Sequence, residues 1–377
     1  MRDQSSRIRI ACRRQAFEQR GITLVELMVA MLLGLLITAG AIQVFAGNRV
    51  AYVFNQGLAR LQENGRFAID TLNYRTRMAG YYGCLSEVAV TNNLAGAAGS
   101  LAFDFAQGLF GYEANDTAPG DTFEAEDVNP ANAADGSAWT DNLHDDLEGD
   151  VIPGSDVLVI RNVSASAHSL LSPFSDGTSV FAAASAADYT VGEIAIVSDC
   201  QKASVFQITG VASISGGIQL SHAASGYTPG NSLATWGTDQ AYGDAAELLR
   251  AETWIYYVGA SAGGPPALYQ RRLSLSGTTV ELIDDELVDG VETMQVLYGI
   301  DSNGDGAVDE YQTADAVGDW GEVAAVRVAL LIRSPEEYGN EVDTATYDVN
   351  GTLFDPVDDR RIRQVFTTTI GLRNRLP

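Results

Sequence analysis

Basic side chains, histidine and long hydrophobic runs are all scarce in this 377-residue chain, and each scarcity removes a class of function. Twenty-three Lys and Arg against 49 Asp and Glu give a net charge of −26, which repels nucleic-acid phosphates and leaves divalent cations as the natural charged partners. The three histidines, His144, His168 and His222, are scattered without metal-ligand spacing. No serine or cysteine stands in a recognisable nucleophile motif. The carboxylates Glu281, Asp284, Asp285 and Glu286 read as a solvated edge rather than an acid/base pair. No enzymatic activity is therefore expected. A chain 46% hydrophobic and 19% charged is neither a disordered tail nor a polytopic membrane protein, and it is long enough for one large or two modest cores.

The single long apolar run is Ile22–Gly47, ITLVELMVAMLLGLLITAGAIQVFAG, and its one charge is Glu26. As a helix it extends about 39 Å, enough to cross a hydrocarbon core of about 30 Å. Six arginines against Asp3 and Glu18 make residues 1–21 net +4, so the remaining residues carry −30. A basic flank, one apolar span and an acidic body predict an N-inside, C-outside orientation. A carboxylate inside such a span is costly unless neutralised, paired or snorkelled to the interface. Cys12 lies in the basic flank. Cys84 and Cys200 lie in the exported body, where an oxidising compartment favours one disulfide over two buried thiols.

Beyond the span, Val50, Phe54, Leu58, Leu61, Gly65, Ala68, Leu72 and Ala79 recur at helical spacing, so the helix is expected to continue to about Ala79. Gly34, Gly40, Gly47, Gly57 and Gly65 are expected to weaken it locally. Residues 84–155 are rich in Ala, Asn, Asp and Gly and read as an irregular surface insertion. From residue 156 the pattern is β. Strands are predicted at Val157–Val163, Glu193–Ser198, Ser204–Ile208, Gly217–Leu220, Thr253–Gly259, Ala267–Leu273, Met294–Ile300, Val323–Arg333 and Arg363–Leu372. One long helix followed by many strands implies an α+β fold with a mainly antiparallel sheet.

The string Arg20-Gly21-Ile22-Thr23-Leu24-Val25-Glu26 resembles the type IV prepilin signature. That resemblance implies cleavage between Gly21 and Ile22 by a membrane-embedded prepilin peptidase, N-methylation of Ile22, and a special role for Glu26. Its carboxylate can pair with the Ile22 amine of its own or a neighbouring chain and set axial register. The blocks Arg77–Cys84, Asp289–Ile300, Val323–Ser334 and Arg363–Thr369 resemble the PilW minor-pilin family, which is similar to the J-type minor pseudopilins of type II secretion.

The resemblance implies a pilin-like fold. A cleaved leader (1–21) precedes the transmembrane half (22–47) and the periplasmic half (48–83) of the N-terminal helix. The insertion (84–155) and a β-rich head (156–377) follow. It also implies a tip-proximal structural subunit that primes pilus assembly. Expected partners are other minor pilins, the major pilin, the assembly platform, a tip protein and membrane lipid before extraction into the fibre. Two alternatives stand beside it: a secretion pseudopilin, and an adhesin-like module whose contact surface is Ser86–Ser155.

No cofactor is required by this reading, but one loop has a cation-binding pattern. Asp301-Ser302-Asn303-Gly304-Asp305-Gly306-Ala307-Val308-Asp309 offers side-chain oxygens at 301, 303, 305 and 309, with the Ala307 carbonyl, for Ca²⁺. Gln312 stands where an EF-hand has its bidentate Glu, and an Asp/Gly hairpin turn accounts for the same residues.

Overall fold

The apolar run and the amphipathic segment after it form one helix, α1, spanning Leu24–Thr76. Thr23 starts it: its Oγ1 accepts a hydrogen bond from Glu26 N at 3.3 Å, and its carbonyl accepts one from Leu27 N. This computed structural model describes residues 21–83, 88–125, 135–223, 226–260, 264–338 and 341–375. The chain divides into two compact units between Val53 and Phe54.

In the first unit α1 is long and apolar enough to cross a membrane, and none of its apolar window is buried. Leu24, Val25, Met28, Leu32, Leu36, Ile42 and Phe45 are all more than half exposed. A face this apolar and this bare requires lipid or other apolar helices as its surroundings.

In the second unit α1 turns a stripe of Gly57, Leu61, Gly65, Ala68, Leu72 and Thr76 inward. The stripe begins at Gly57, so Val50 and Phe54, expected on this face, are exposed instead. The helix ends at Thr76, short of Ala79, which is buried in the turn that follows. Gly57 and Gly65 are also places of close approach. A methyl group on Gly57 would fall 2.3 Å from the Tyr338 ring, and one on Gly65 would fall 2.3 Å from the Phe366 ring.

Beneath the stripe lies a four-stranded antiparallel sheet, in the order Glu310–Gln312, Val291–Ile300, Val323–Arg333 and Arg363–Gly371. Ala324, Val326, Val328, Leu330 and Ile332 alternate toward α1, and all are buried. They share a core with Leu61, Leu72, Met294, Val296, Ile370 and Leu372. The opposite face is covered too: Ala329 and Leu331 pack with Val349 and Phe354 of a small three-stranded sheet.

The other large sheet has twelve strands among the described residues and is organised by the strand Glu247–Ala260. Its second half pairs with Val157–Val163 on one side and Pro266–Ser276 on the other. Its first residues reach Ile194–Ser198 and His168–Ser175. The excursion between residues 164 and 246 has its own core of Leu170, Val180, Phe206, Ile218, Leu220, Trp236 and Tyr242.

Residues 88–125 and 135–155 are mainly irregular with short strands, as expected, but they contribute to the core rather than forming a surface insertion. They form the strands Ala89–Asn92, Leu109–Tyr112 and Thr122–Glu124, and Leu101, Phe105, Trp139, Leu143 and Leu147 are almost fully buried. Isolated apolar residues in irregular backbone complete the cores of the larger sheet. Glu281, Asp284, Asp285 and Glu286, read as a solvated edge, lie on the eleven-residue strand Thr279–Asp289, which pairs with Pro266–Ser276.

Candidate functional site

The N-terminal junction is built simply. Gly21 and Ile22 are exposed and precede the first turn of α1, and Glu26 occupies that turn. The positive end of the helix dipole lies at this turn. Ile22, 70% exposed, is in open surroundings accessible to a processing enzyme. Residues 1–20 of the expected leader lie outside the described residues.

The 301–309 loop joins the strands Val291–Ile300 and Glu310–Gln312 as a hairpin connection. Gly304 and Gly306 adopt φ of +74° and +82°, which glycine tolerates without strain. The Asp301 carboxylate accepts hydrogen bonds from Gly304 N, Asp305 N and Gly306 N. Partial desolvation opposes ionisation of Asp301, but these backbone donors hold its carboxyl below the ordinary range. Asn303 accepts from Asp305 N, Asp305 from Ala307 N, and Asp309 from Ser302 and Asn303. The predicted ligands therefore share one turn, but their oxygens face the loop's own N–H groups. Among the described residues no three His, Cys, Asp or Glu side chains gather as a metal-ligand set.

Cys200 is disulfide-bonded and sits at a φ of +68°. Cys84, its expected partner, lies outside the described residues. Its neighbour Gly83 approaches Ser198: a methyl group there would be 3.8 Å from Ser198 Cβ.

Two buried polar clusters carried no signal in the sequence. In the first, Asp156 joins the two large sheets: its carboxylate accepts from Ala114 N at 3.0 Å and from Val296 N at 2.7 Å. Glu113 lies near it, and burial followed by repulsion from Asp156 and Asp315 raises the Glu113 carboxyl far above the usual range. Tyr298 is raised for the same reasons, and its hydroxyl has no hydrogen-bond partner.

In the second cluster the guanidinium of Arg363, fully buried, forks onto Glu292 with bonds of 2.7 and 3.1 Å. Its remaining donors go to Asp343, Asp359 and the Val357 carbonyl. Arg333 joins from the intervening strand, 3.2 Å from Glu292. The network ties Asp289–Ile300, Val323–Ser334 and Arg363–Thr369 together, three of the four blocks that carry the family resemblance.

The comparisons with known proteins divide along the same lines. The model of the type IV pilus-assembly protein W family, PilW, matches residues 255–374. The prokaryotic N-terminal methylation motif matches residues 17–42. The match to the methylation motif thus precedes the match to PilW. The PilW match covers the second half of the central strand, the hairpin beside it and the four-stranded sheet that receives α1. No curated protein and no solved structure matches the chain. The two matches support a type IV pilus minor pilin, a structural class, anchored in a membrane by its apolar helix. They further imply processing by a prepilin peptidase and contact with other pilins.

Proposed function

We propose that this PilW-like chain primes assembly of a type IV pilus and remains near the fibre tip. It is cut between Gly21 and Ile22 and methylated on the Ile22 amine. It is held in the inner membrane with its N-terminus cytoplasmic and its head periplasmic until extraction. In the fibre, Glu26 pairs with an Ile22 amine and fixes the axial position of the subunit. The observation that carries this reading is a bare apolar helix, with a single acid in its first turn, leading into a head whose sheet matches PilW. The same apolar surface serves in lipid and among other pilin helices, so extraction exchanges one apolar neighbour for another.

The test is piliation of cells carrying Glu26→Ala. The expected result is protein that is processed and present at normal level, with surface pili lost. Normal piliation would contradict the assembly role, and lost secretion with intact pili would favour the pseudopilin. Deleting Ser86–Ser155 does not cleanly test an adhesin role, because it removes Phe105, Trp139 and Leu147 from the core.

Two smaller proposals accompany this one. Cys200 pairs with Cys84, supported by the contact of Gly83 with Ser198. A peptide map of the unreduced, processed protein in which the Cys84 and Cys200 peptides run separately would reject that pairing. Calcium enters the 301–309 hairpin by exchanging some backbone donors for coordination, supported by the oxygens at 301, 303, 305 and 309. Calcium is then expected to raise the melting temperature of the protein but not of an Asp301→Ala variant, and equal melting with and without calcium would refute it.

A further inference from the structure

Among the described residues the strand Thr279–Asp289 has a partner strand on one side only: Pro266–Ser276. On its other side the chain supplies a single residue of pairing. Thr228 N donates to the Thr278 carbonyl, and the Thr228 carbonyl accepts from Val280 N. Gly230, whose N–H is the next to face the strand in the alternation, donates instead to Gln207 Oε1, and the pairing stops. Backbone groups alternate along a strand, so the outward direction of Val280 N is repeated at Leu282 and Asp284. Among the described residues no strand covers this edge from Glu281 to Asp289. An exposed strand edge of this length is a template for a further strand.

Its side chains select the kind of strand. Glu281, Asp284, Glu286 and Asp289 are exposed, and Leu282, Ile283 and Leu287 are half-buried between them. Asp284 and Asp285 are held by Arg271 and Arg272 of the neighbouring strand, at 2.5 and 2.8 Å, which fixes the acidic row in place. Two copies of so acidic an edge repel each other, so self-pairing is disfavoured. A cleft of about 410 Å³, lined by Ser100, Phe103, Asp146, Arg271, Glu281 and Leu282, opens beside the same residues. It offers room for side chains pointing inward from an added strand.

We propose that the outer edge of Leu282–Glu286 binds an extended segment of a partner protein by strand addition. That segment alternates apolar residues with Lys or Arg. Main-chain hydrogen bonds supply the attachment, and the acidic row supplies the selectivity. This interaction is separate from the α1 packing of a pilin and does not depend on it.

The probe is a nine-residue peptide of alternating valine and lysine, added to the full chain in detergent. Amide hydrogen exchange is expected to slow by about tenfold or more at Leu282 and Asp284, without comparable change in the four-stranded sheet. The same peptide N-methylated at every residue is expected to give no protection, and a valine–glutamate peptide about tenfold weaker binding or less. Absence of protection at these amides overturns the proposal. So does equal binding by the N-methylated peptide, which would mark simple charge adsorption.

Discussion

Replacing Arg363 with alanine is expected to destabilise the head by about 3 kcal/mol, because it removes the fully buried cation shared by three acids. All five guanidinium N–H groups are used in the folded chain, four on carboxylates and one on the Val357 carbonyl. Removing them leaves Glu292, 7% exposed, with Arg333 alone and Asp359 with Arg361 alone, and takes from Asp343 its ion pair with Arg363. Arg333 is too distant to replace the fork, since it reaches only one oxygen of Glu292. Thermal melting is expected to fall by roughly 10 °C. Arg363→Lys recovers only part of this, because a single ammonium cannot reproduce the bidentate geometry. Melting of Arg363→Ala within about 2 °C of the parent would show the network to be dispensable.

The second large effect is expected at Gly108. A methyl group there would fall 2.3 Å from Gly80 Cα and 2.7 Å from Gly80 N, so it meets backbone rather than a movable side chain. Gly80 cannot retreat easily. Its N–H donates to the Arg161 carbonyl, Arg161 N donates to the Gly108 carbonyl, and Asn374 donates to the Gly80 carbonyl. Gly80 also adopts a φ of +70°, so the turn that ends α1 is fixed from both sides. Gly108→Ala is expected to cost about 3 kcal/mol, at the upper end of overpacking penalties. Gly65→Ala is the informative contrast. There the obstacle is the outer end of the Phe366 ring, and alanine gains about 1 kcal/mol of helix propensity over glycine. Chemical denaturation of the two variants should therefore separate them clearly. Similar losses would mean that the turn–strand contact does not organise the head.

Several features were legible because one physical pattern dominated them. The Val323–Arg333 strand was readable to the residue, since five inward apolar side chains alternate against α1 without interruption. The apolar span needed only length and the absence of charge. Thr279–Asp289 was hidden because its acids interrupt the alternation, and their compensating arginines sit on another strand. Gly57 and Gly65 looked like flaws in a helix because the rings that need the space, Tyr338 and Phe366, lie some 300 residues further along the sequence. The strands His168–Ser175, Ser179–Ala182 and Gly210–Ile214 use serine, alanine and glycine freely and gave little periodic signal.

The same division applies to the candidate sites. Gly21, Ile22 and Glu26 were legible as a contiguous string, because an acid in an apolar run stands out without any tertiary information. The partnership of Glu292 with Arg363 was not, since nothing local marks either residue. It emerges only when three strands come together. The metal pattern at 301–309 shows the reverse case, in which oxygens at the expected spacing turn first to the loop's own backbone.

The central claim, that Ile22 begins the working chain, is tested most directly by the mass of its N-terminal peptide. The protein is purified from cells that contain a prepilin peptidase, digested, and its first peptide is sequenced by mass spectrometry. The account predicts a peptide starting at Ile22 and carrying one methyl group on its amine. An intact leader, or a start at any residue other than Ile22, would contradict it.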